Sequence, residues 1–482
     1  MNAPMIWVGI PAAAAVLLFL LRGFRNLVYA LGILFSGWLW SLALMLPIGE
    51  LAAVGGRTFR IGESFSILGR DFILLNTDRG LLVMVYFFVM VWIIGAWFAR
   101  PRESFIAFVF LWAALLVAAL SVEPFLYAAL LFEICILISV PLLSPPQQQP
   151  GAGIFRFLTF QSLGMPFILL AGWFLAGLEA SPGQSGLEFR AGILIGIGLS
   201  FLLSVVPFHS WIPSLAEENQ PYVVAFIIFL MPIMVGIFGL GFLDRFVWLR
   251  DAPLMYQGLR LVGAMMMIVG GTWAAVERHL GRMLGHAAIA ETGIGLIAIG
   301  TGTAEGILLF FWLAVVRLFS YVLWAVAVSR FWVWGGGALS LDAYRGKGHQ
   351  MPILAVTAVI GQFSLAGLPL LAGFSARYSL FKMLSGISPL VTVLALVGNI
   401  GLLVGAIRTL NALFVPLPEE DRNLLDPSGG VLTSDGSVIS TRLMEWILYG
   451  LVVLILLVVG VFPQLYLPWV EKLLLIFERL GG

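Results

Sequence analysis

Apolar stretches of about twenty residues recur from one end of this chain to the other, with short polar breaks between them. An α-helix needs about 20 apolar residues to cross the hydrocarbon layer of a bilayer. The pattern predicts fourteen spanning helices, over 5–22, 28–52, 79–98, 104–121, 122–143, 155–177, 190–212, 221–243, 257–278, 282–302, 304–333, 351–383, 388–415 and 443–463. Composition agrees. Of 482 residues, 61% are hydrophobic and 11% charged, too few polar groups to cover a soluble protein of this size. The expected fold class is therefore an all-α polytopic membrane protein. The first run, "MIWVGIPAAAAVLLFLL", has no basic stretch before it and reads as a first span, not as a cleavable leader.

The formal charge of +1 suggests no nucleic-acid partner. A single cysteine, Cys135, lies in an apolar run and permits no intrachain disulfide. Most loops are short. The segment 53–78 alternates in character and predicts a surface hairpin, 330–350 is a second long connection, and 416–442 is polar and turn-rich. Basic residues lean to one side. Loops after odd-numbered helices hold Arg22, Arg25, Arg100, Arg102, Arg278, Arg282, Arg330, Arg345, Lys347 and Arg422. The opposite side holds Arg57, Arg60, Arg70, Arg79, Arg245 and Arg250. This bias places both termini on the non-cytoplasmic side, with a bacterial inner membrane as the expected location.

Two apolar segments carry proline near their middles: "LLSVVPFHSW" at Pro207 and "FSLAGLPLLAGFSARYSLF" at Pro369. Proline removes a helix hydrogen bond and clashes with the preceding turn. Backbone groups freed inside a membrane need protein or water partners, so both helices should be broken. The prolines lie 162 positions apart (207 to 369), in the seventh and twelfth segments, an offset of five, which is odd. Carried from Glu133, that offset lands near position 295, about one helical turn from Glu291. The spacing predicts two inverted repeats, each with a broken helix.

An ionisable group in mid-membrane costs about 2.5–3.5 kcal/mol on insertion scales. Glu133, in "LLFEICIL", therefore needs a reason: a proton-exchanging site, or a protonated acid bonded to a neighbouring helix. His209 follows the Pro207 break, and imidazole titrates near neutral pH. A proton path through Glu133, His209, His286 and Glu291 is expected. Glu217 and Glu218 read as solvated loop residues. His286 and Glu291 are five apart, so they do not share a helical face, though both could line one aqueous path. Arg317 and Arg377 are fixed intramembrane charges, because arginine does not deprotonate in proteins. Each must meet an acid, backbone carbonyls or water, and Glu291 is the expected acidic neighbour. Arg408 reads as a snorkelling end residue. No metal site is expected, since no compact ligand set occurs.

These residues resemble a family. "VVPFHSWIPSLAEENQP", "GRMLGHAAIAETG" and "LAGLPLLAGFSARYSLF" look like motifs of the proton-antiporter-like membrane subunits of respiratory complex I, membrane-bound hydrogenases and multisubunit sodium/proton antiporters. The length is most like the N-type complex I subunit. The resemblance implies inverted five-helix repeats over 104–243 and 257–415, flanked by 1–103 and 416–482. It also implies other membrane subunits as partners, besides lipid and protons, and redox cofactors held elsewhere, so none in this chain. The family's proton-relaying glutamate matches Glu133. Its lysines do not recur: their places fall on Leu202, on Ile233 or Met234, and on Gly281, while the second-repeat lysines are Arg317 and Arg377. Glu291 stands where histidine is usual. The expected function is an antiporter-like subunit of a complex I-related assembly that contributes to proton translocation. The alternatives are a non-pumping structural subunit, or a component of a cation or inorganic-carbon transporter.

Overall fold

The computed structural model describes residues 2–54, 57–67, 69–144, 150–180, 185–416, 438–477 and 479–480. After a short helical turn come α1 (Ile10–Leu20) and α2 (Arg25–Met45), then strands β1 (Leu51–Val54), β2 (Arg57–Arg60), β3 (Ser64–Ile67) and β4 (Arg70–Ile73). Next are α3 (Arg79–Ala99), α4 (Phe105–Ser121), β5 (Val122–Glu123), α5 (Ala128–Leu143), α6 (Ala152–Ala180), α7 (Ser185–Leu202), α8 (Trp211–Glu218) and α9 (Pro221–Arg245). The second half holds α10 (Val247–Arg250), α11 (Pro253–Val276), α12 (Leu280–Ile299), α13 (Ala304–Trp334), α14 (Pro352–Leu365), α15 (Ala372–Ile387), α16 (Pro389–Phe414), α17 (Val438–Val461) and α18 (Leu467–Glu471).

All fourteen apolar segments contain helix. Among the described residues, nine helices are long and apolar enough to cross a membrane, with four shorter apolar helices beside them. Two segments are shorter than their apolar runs. The second stops at Met45, ahead of Pro47, and the chain turns into β1. The fifth starts at Ala128, because residues before proline avoid helical backbone and Glu123 precedes Pro124. Val122 and Glu123 instead pair with Phe72 and Asp71 of β4. The segment 53–78 forms two antiparallel hairpins, β1–β2 and β3–β4, in place of the one expected. Of the polar loop 416–442, residues 417–437 lie outside those described.

The helices sort into a buried centre and an exposed apolar rim. The spans of α9, α12 and α13 are 89%, 94% and 89% buried, whereas those of α2 and α6 are 33%. Rim helices turn large apolar side chains outward, among them Leu34, Trp173, Phe189 and Leu390. Lipid tails solvate such groups, so burial there is set by packing and polar satisfaction, not by hydrophobicity alone. The central α13 packs against α3, α9, α14 and α15. Its N-terminus is capped by Thr303, whose hydroxyl accepts from Gly306 N at 3.1 Å. The two broken helices, α7–α8 and α14–α15, flank this centre.

Candidate functional site

Each break has its own set of polar side chains. α7 ends at Leu202, and Ser204 takes a left-handed backbone (φ 54°). Phe201, in the last turn of α7, accepts from Gln161 Nε2 at 3.1 Å. The same amide and Trp211 Nε1 both donate to Ser204 Oγ at 2.9 Å. An unsatisfied buried backbone group costs several kcal/mol in lipid, which is why a buried amide stands in α6 facing this break. The break continues to Pro207 and a short turn over Phe208–Ser210, so His209 stands at the mouth of α8. His209 Nδ1 is buried without a hydrogen-bond partner among the described residues.

The second break runs from Ala366 to Leu371 and includes Pro369. Ala366 O accepts from Asn399 Nδ2 on α16 at 2.9 Å. Asn399 Oδ1 accepts in turn from Arg377 at 2.9 Å. Arg377 also donates to Glu291 of α12 in a short, enclosed ion pair, both side chains being almost fully buried. Gly367, with φ 72°, makes room for this arrangement: a Cβ there would press on Arg377 Cδ at 2.6 Å. Ser320 Oγ of α13 lies 2.7 Å from Ser364 Oγ, tying the end of α14 to the central helix.

Arg317 is buried in α13 and donates to backbone carbonyls, Glu291 O at 3.2 Å and Phe229 O at 3.4 Å. Its guanidinium lies 5.5 Å from the Phe229 ring centre, a cation–π contact. Its Nε is buried and unpartnered among the described residues. Thus two guanidiniums gather around Glu291, but only Arg377 reaches the carboxylate.

His286 and Glu291 turn to different neighbours. His286 stacks on Trp273 and faces Glu277 Oε2 at 3.6 Å, beyond hydrogen-bond length. Glu277 also receives Arg282 Nε at 3.1 Å, and Arg282 lies 3.6 Å from Glu217. Glu217 belongs to α8, so this network joins the helix that follows the first break to the N-terminal end of α12. Close packing allows it: a Cβ on Gly285 would meet Ile212 O and Pro213 at 3.2 Å.

Glu133 stands apart. Ser162 Oγ donates to its Oε1 at 2.6 Å, and Oε2 is buried without a partner among the described residues. No hydrogen bond or ion pair joins it to the other candidates. Leu202 packs against Gly164, two residues from Ser162, and is buried. Ile233 and Met234 are buried as well.

Two expectations change. Glu218 is exposed, yet its carboxylate accepts from Gly153 N at 2.9 Å and so caps the start of α6. Arg408, expected as a snorkelling end residue, is tied to backbone. It is half-buried and donates to the last carbonyls of α11, Ala275 O and Glu277 O, the latter at 3.1 Å. Sequence reasoning passed over Gln161, Asn399 and Ser162, and read Glu277 as part of a cytoplasmic turn. The first three carried a usable signal, a polar side chain inside a long apolar run, but only charged groups were weighed that way.

Comparison with known proteins places this geometry. Residues 175–402 match the family described as NADH:quinone oxidoreductase/Mrp antiporter, TM. The NADH-quinone oxidoreductase subunit N of Parafrankia sp. is 26% identical over 276 residues, 56% of this chain and 49% of the relative. Its counterpart from Rhodospirillum rubrum is 28% identical over 258 residues, 52% of each. The matched region thus spans about half the length of these curated relatives. A chain in the structure of respiratory complex I from Thermus thermophilus with bound NADH superposes with a TM-score of 0.72 at 21% identity. That likeness covers 99% of this chain and 100% of the other, and it concerns the fold. Over residues 175–402 the chain is thus similar to the membrane domain described for NADH:quinone oxidoreductases and Mrp antiporters, and over about half its length to subunit N of NADH-quinone oxidoreductases.

Proposed function

We propose that this chain is the antiporter-like membrane subunit of a complex I-related assembly, and that it contributes to proton translocation. One observation carries the reading: both helix breaks are lined by ionisable groups, His209 at the first and the Glu291–Arg377 pair at the second. Broken helices with polar linings are where ions cross in inverted-repeat transporters. The repeats would cover 104–243 and 257–415 within fourteen spans, with both termini on the non-cytoplasmic side. Protons would use Glu133, His209, His286 and Glu291, with Arg317 and Arg377 as fixed charges. Other membrane subunits would be its partners, and redox cofactors would belong to other subunits of the assembly.

A non-pumping structural role has a specific observation in its favour. The place that resembles the family's relay lysine is Leu202, sealed against Gly164, so Glu133 has no basic neighbour there. Purification through a tag on this chain, followed by proton-uptake measurements on the reconstituted complex, tests both readings. Co-purifying redox subunits and uptake that falls in Glu133→Gln support translocation. Co-purification with unchanged uptake supports the structural role. Isolation as an active monomer overturns both.

A further inference from the structure

We propose that a basic cavity at one end of α11 and α16 binds the phosphate headgroup of an anionic phospholipid. The cavity has a volume of about 290 Å³ and is lined by Arg278, Arg345, Arg408 and Asp342, with Asn411 beside them. Three guanidiniums therefore share one carboxylate. Arg408 is held in place by the carbonyls of Ala275 and Glu277. Arg278 and Arg345 are exposed, and neither side chain is engaged in a hydrogen bond or ion pair among the described residues. Guanidinium groups bind phosphate oxygens in pairs of parallel hydrogen bonds, which an unneutralised cluster of arginines favours.

The surroundings point to a lipid as the source of that phosphate. On the same two helices, within about two turns of the cavity, Trp273, Val276, Ile407 and Leu410 are exposed large apolar side chains. A headgroup in the cavity would lay its acyl chains along this surface. The cavity also lies on the side that the basic residues mark as cytoplasmic, where anionic lipids and basic pockets between spanning helices come together. This site is separate from the proposed proton groups and does not depend on them.

The test uses the full-length chain in detergent micelles, with bound lipid counted by native mass spectrometry. Phosphatidylglycerol should be retained in preference to phosphatidylcholine. Each basic residue near an anionic headgroup contributes about fivefold in affinity, so R278Q/R345Q should bind phosphatidylglycerol roughly 30-fold more weakly. D342N, which removes the opposing charge, should bind it more tightly. Equal retention of the two lipids, unchanged retention in the double variant, or displacement by millimolar inorganic phosphate would each overturn the proposal. A crosslink from position 278 to a sister subunit, or to the chain's own acidic run at 419–421, would give the cavity another occupant and overturn it too.

Discussion

Arg377 and Glu291 meet as an enclosed ion pair across the second helix break, one from α15 and one from α12. The guanidinium spends a second nitrogen on Asn399, and Asn399 in turn holds Ala366 O at the end of α14. One chain of polar contacts therefore ties together α12, α15, α16 and the broken backbone. The break is held in register by charge and not by continuous helix.

Removing one member of this pair leaves a buried charge without a partner. That should cost about 3–5 kcal/mol. Arg377→Ala is expected to lower the thermal unfolding temperature in detergent sharply. Arg377→Lys should lose less, since it keeps the charge but cannot reach both Glu291 and Asn399. An apolar pair, E291L/R377M, should recover part of the loss, because a well-packed apolar pair can replace a buried ion pair. Equal stability of R377A and wild type would show that the pair bears no structural role.

Glu133→Gln keeps an oxygen that can accept from Ser162, so the α5–α6 contact should survive. Stability should shift by less than about 1 kcal/mol. Proton translocation by the assembled complex should fall, because an amide does not exchange the proton. Unfolding curves and proteoliposome pH traces on the same preparation separate the two effects. A large loss of stability would instead make Glu133 a structural acid.

The outline of the fold was legible because bilayer thickness and helix rise leave little freedom: each apolar run had to hold helix. Ends were legible only where proline set them, and the paired hairpins after α2 were not, since β1–β4 are short and β4's further partner β5 sits at Val122, far along the chain. At the site, the Arg377–Glu291 pair could be foreseen because an intramembrane arginine needs a polar partner and Glu291 was the nearest candidate acid in the same repeat; Arg317 met the same need with backbone carbonyls. Gln161 and Asn399 could not be seen by that rule. They answer to backbone carbonyls exposed by the breaks, and a sequence does not say which carbonyls those will be.

His279 lies outside the spans and accepts from Arg282 N at 3.3 Å, capping α12 through its Nδ1. Burial pushes its pKa down, and Arg282 adds to this, while Glu217 and Glu277 oppose it. The sign follows directly. Below the ordinary histidine value of about 6.5, the unfolded chain takes up a proton that the folded chain resists, so stability falls as pH drops from there through the folded pKa. Protonation of Nδ1 would also break the cap. His279→Asn keeps an acceptor and does not titrate. It should flatten the loss of unfolding temperature between pH 7 and pH 5, and an unaltered slope would place the pH dependence elsewhere.

α11 and α16 cross backbone on backbone. A Cβ on Gly271 would run into the main chain of Gly398, one on Gly398 into Met267 O, and one on Gly401 into Gly271 O. Main chain cannot rotate aside, so any larger residue must push the helices apart and forfeit close packing, which is the main attraction between helices in lipid. Gly398→Val should therefore cost about 1–3 kcal/mol. Gly386→Ala is the matched control, since nothing lies within 4 Å of a Cβ there. It should be neutral or slightly stabilising, because alanine is the better helix former. The effect should also reach the site. Asn399 is the next residue after Gly398, so displacing α16 pulls its amide away from Arg377 and Ala366. G398V should then lose part of the Arg377–Asn399 coupling, measured as a smaller additional cost of N399A in the G398V background than in wild type. Additive costs would mean that the crossing and the ion-pair site are mechanically independent.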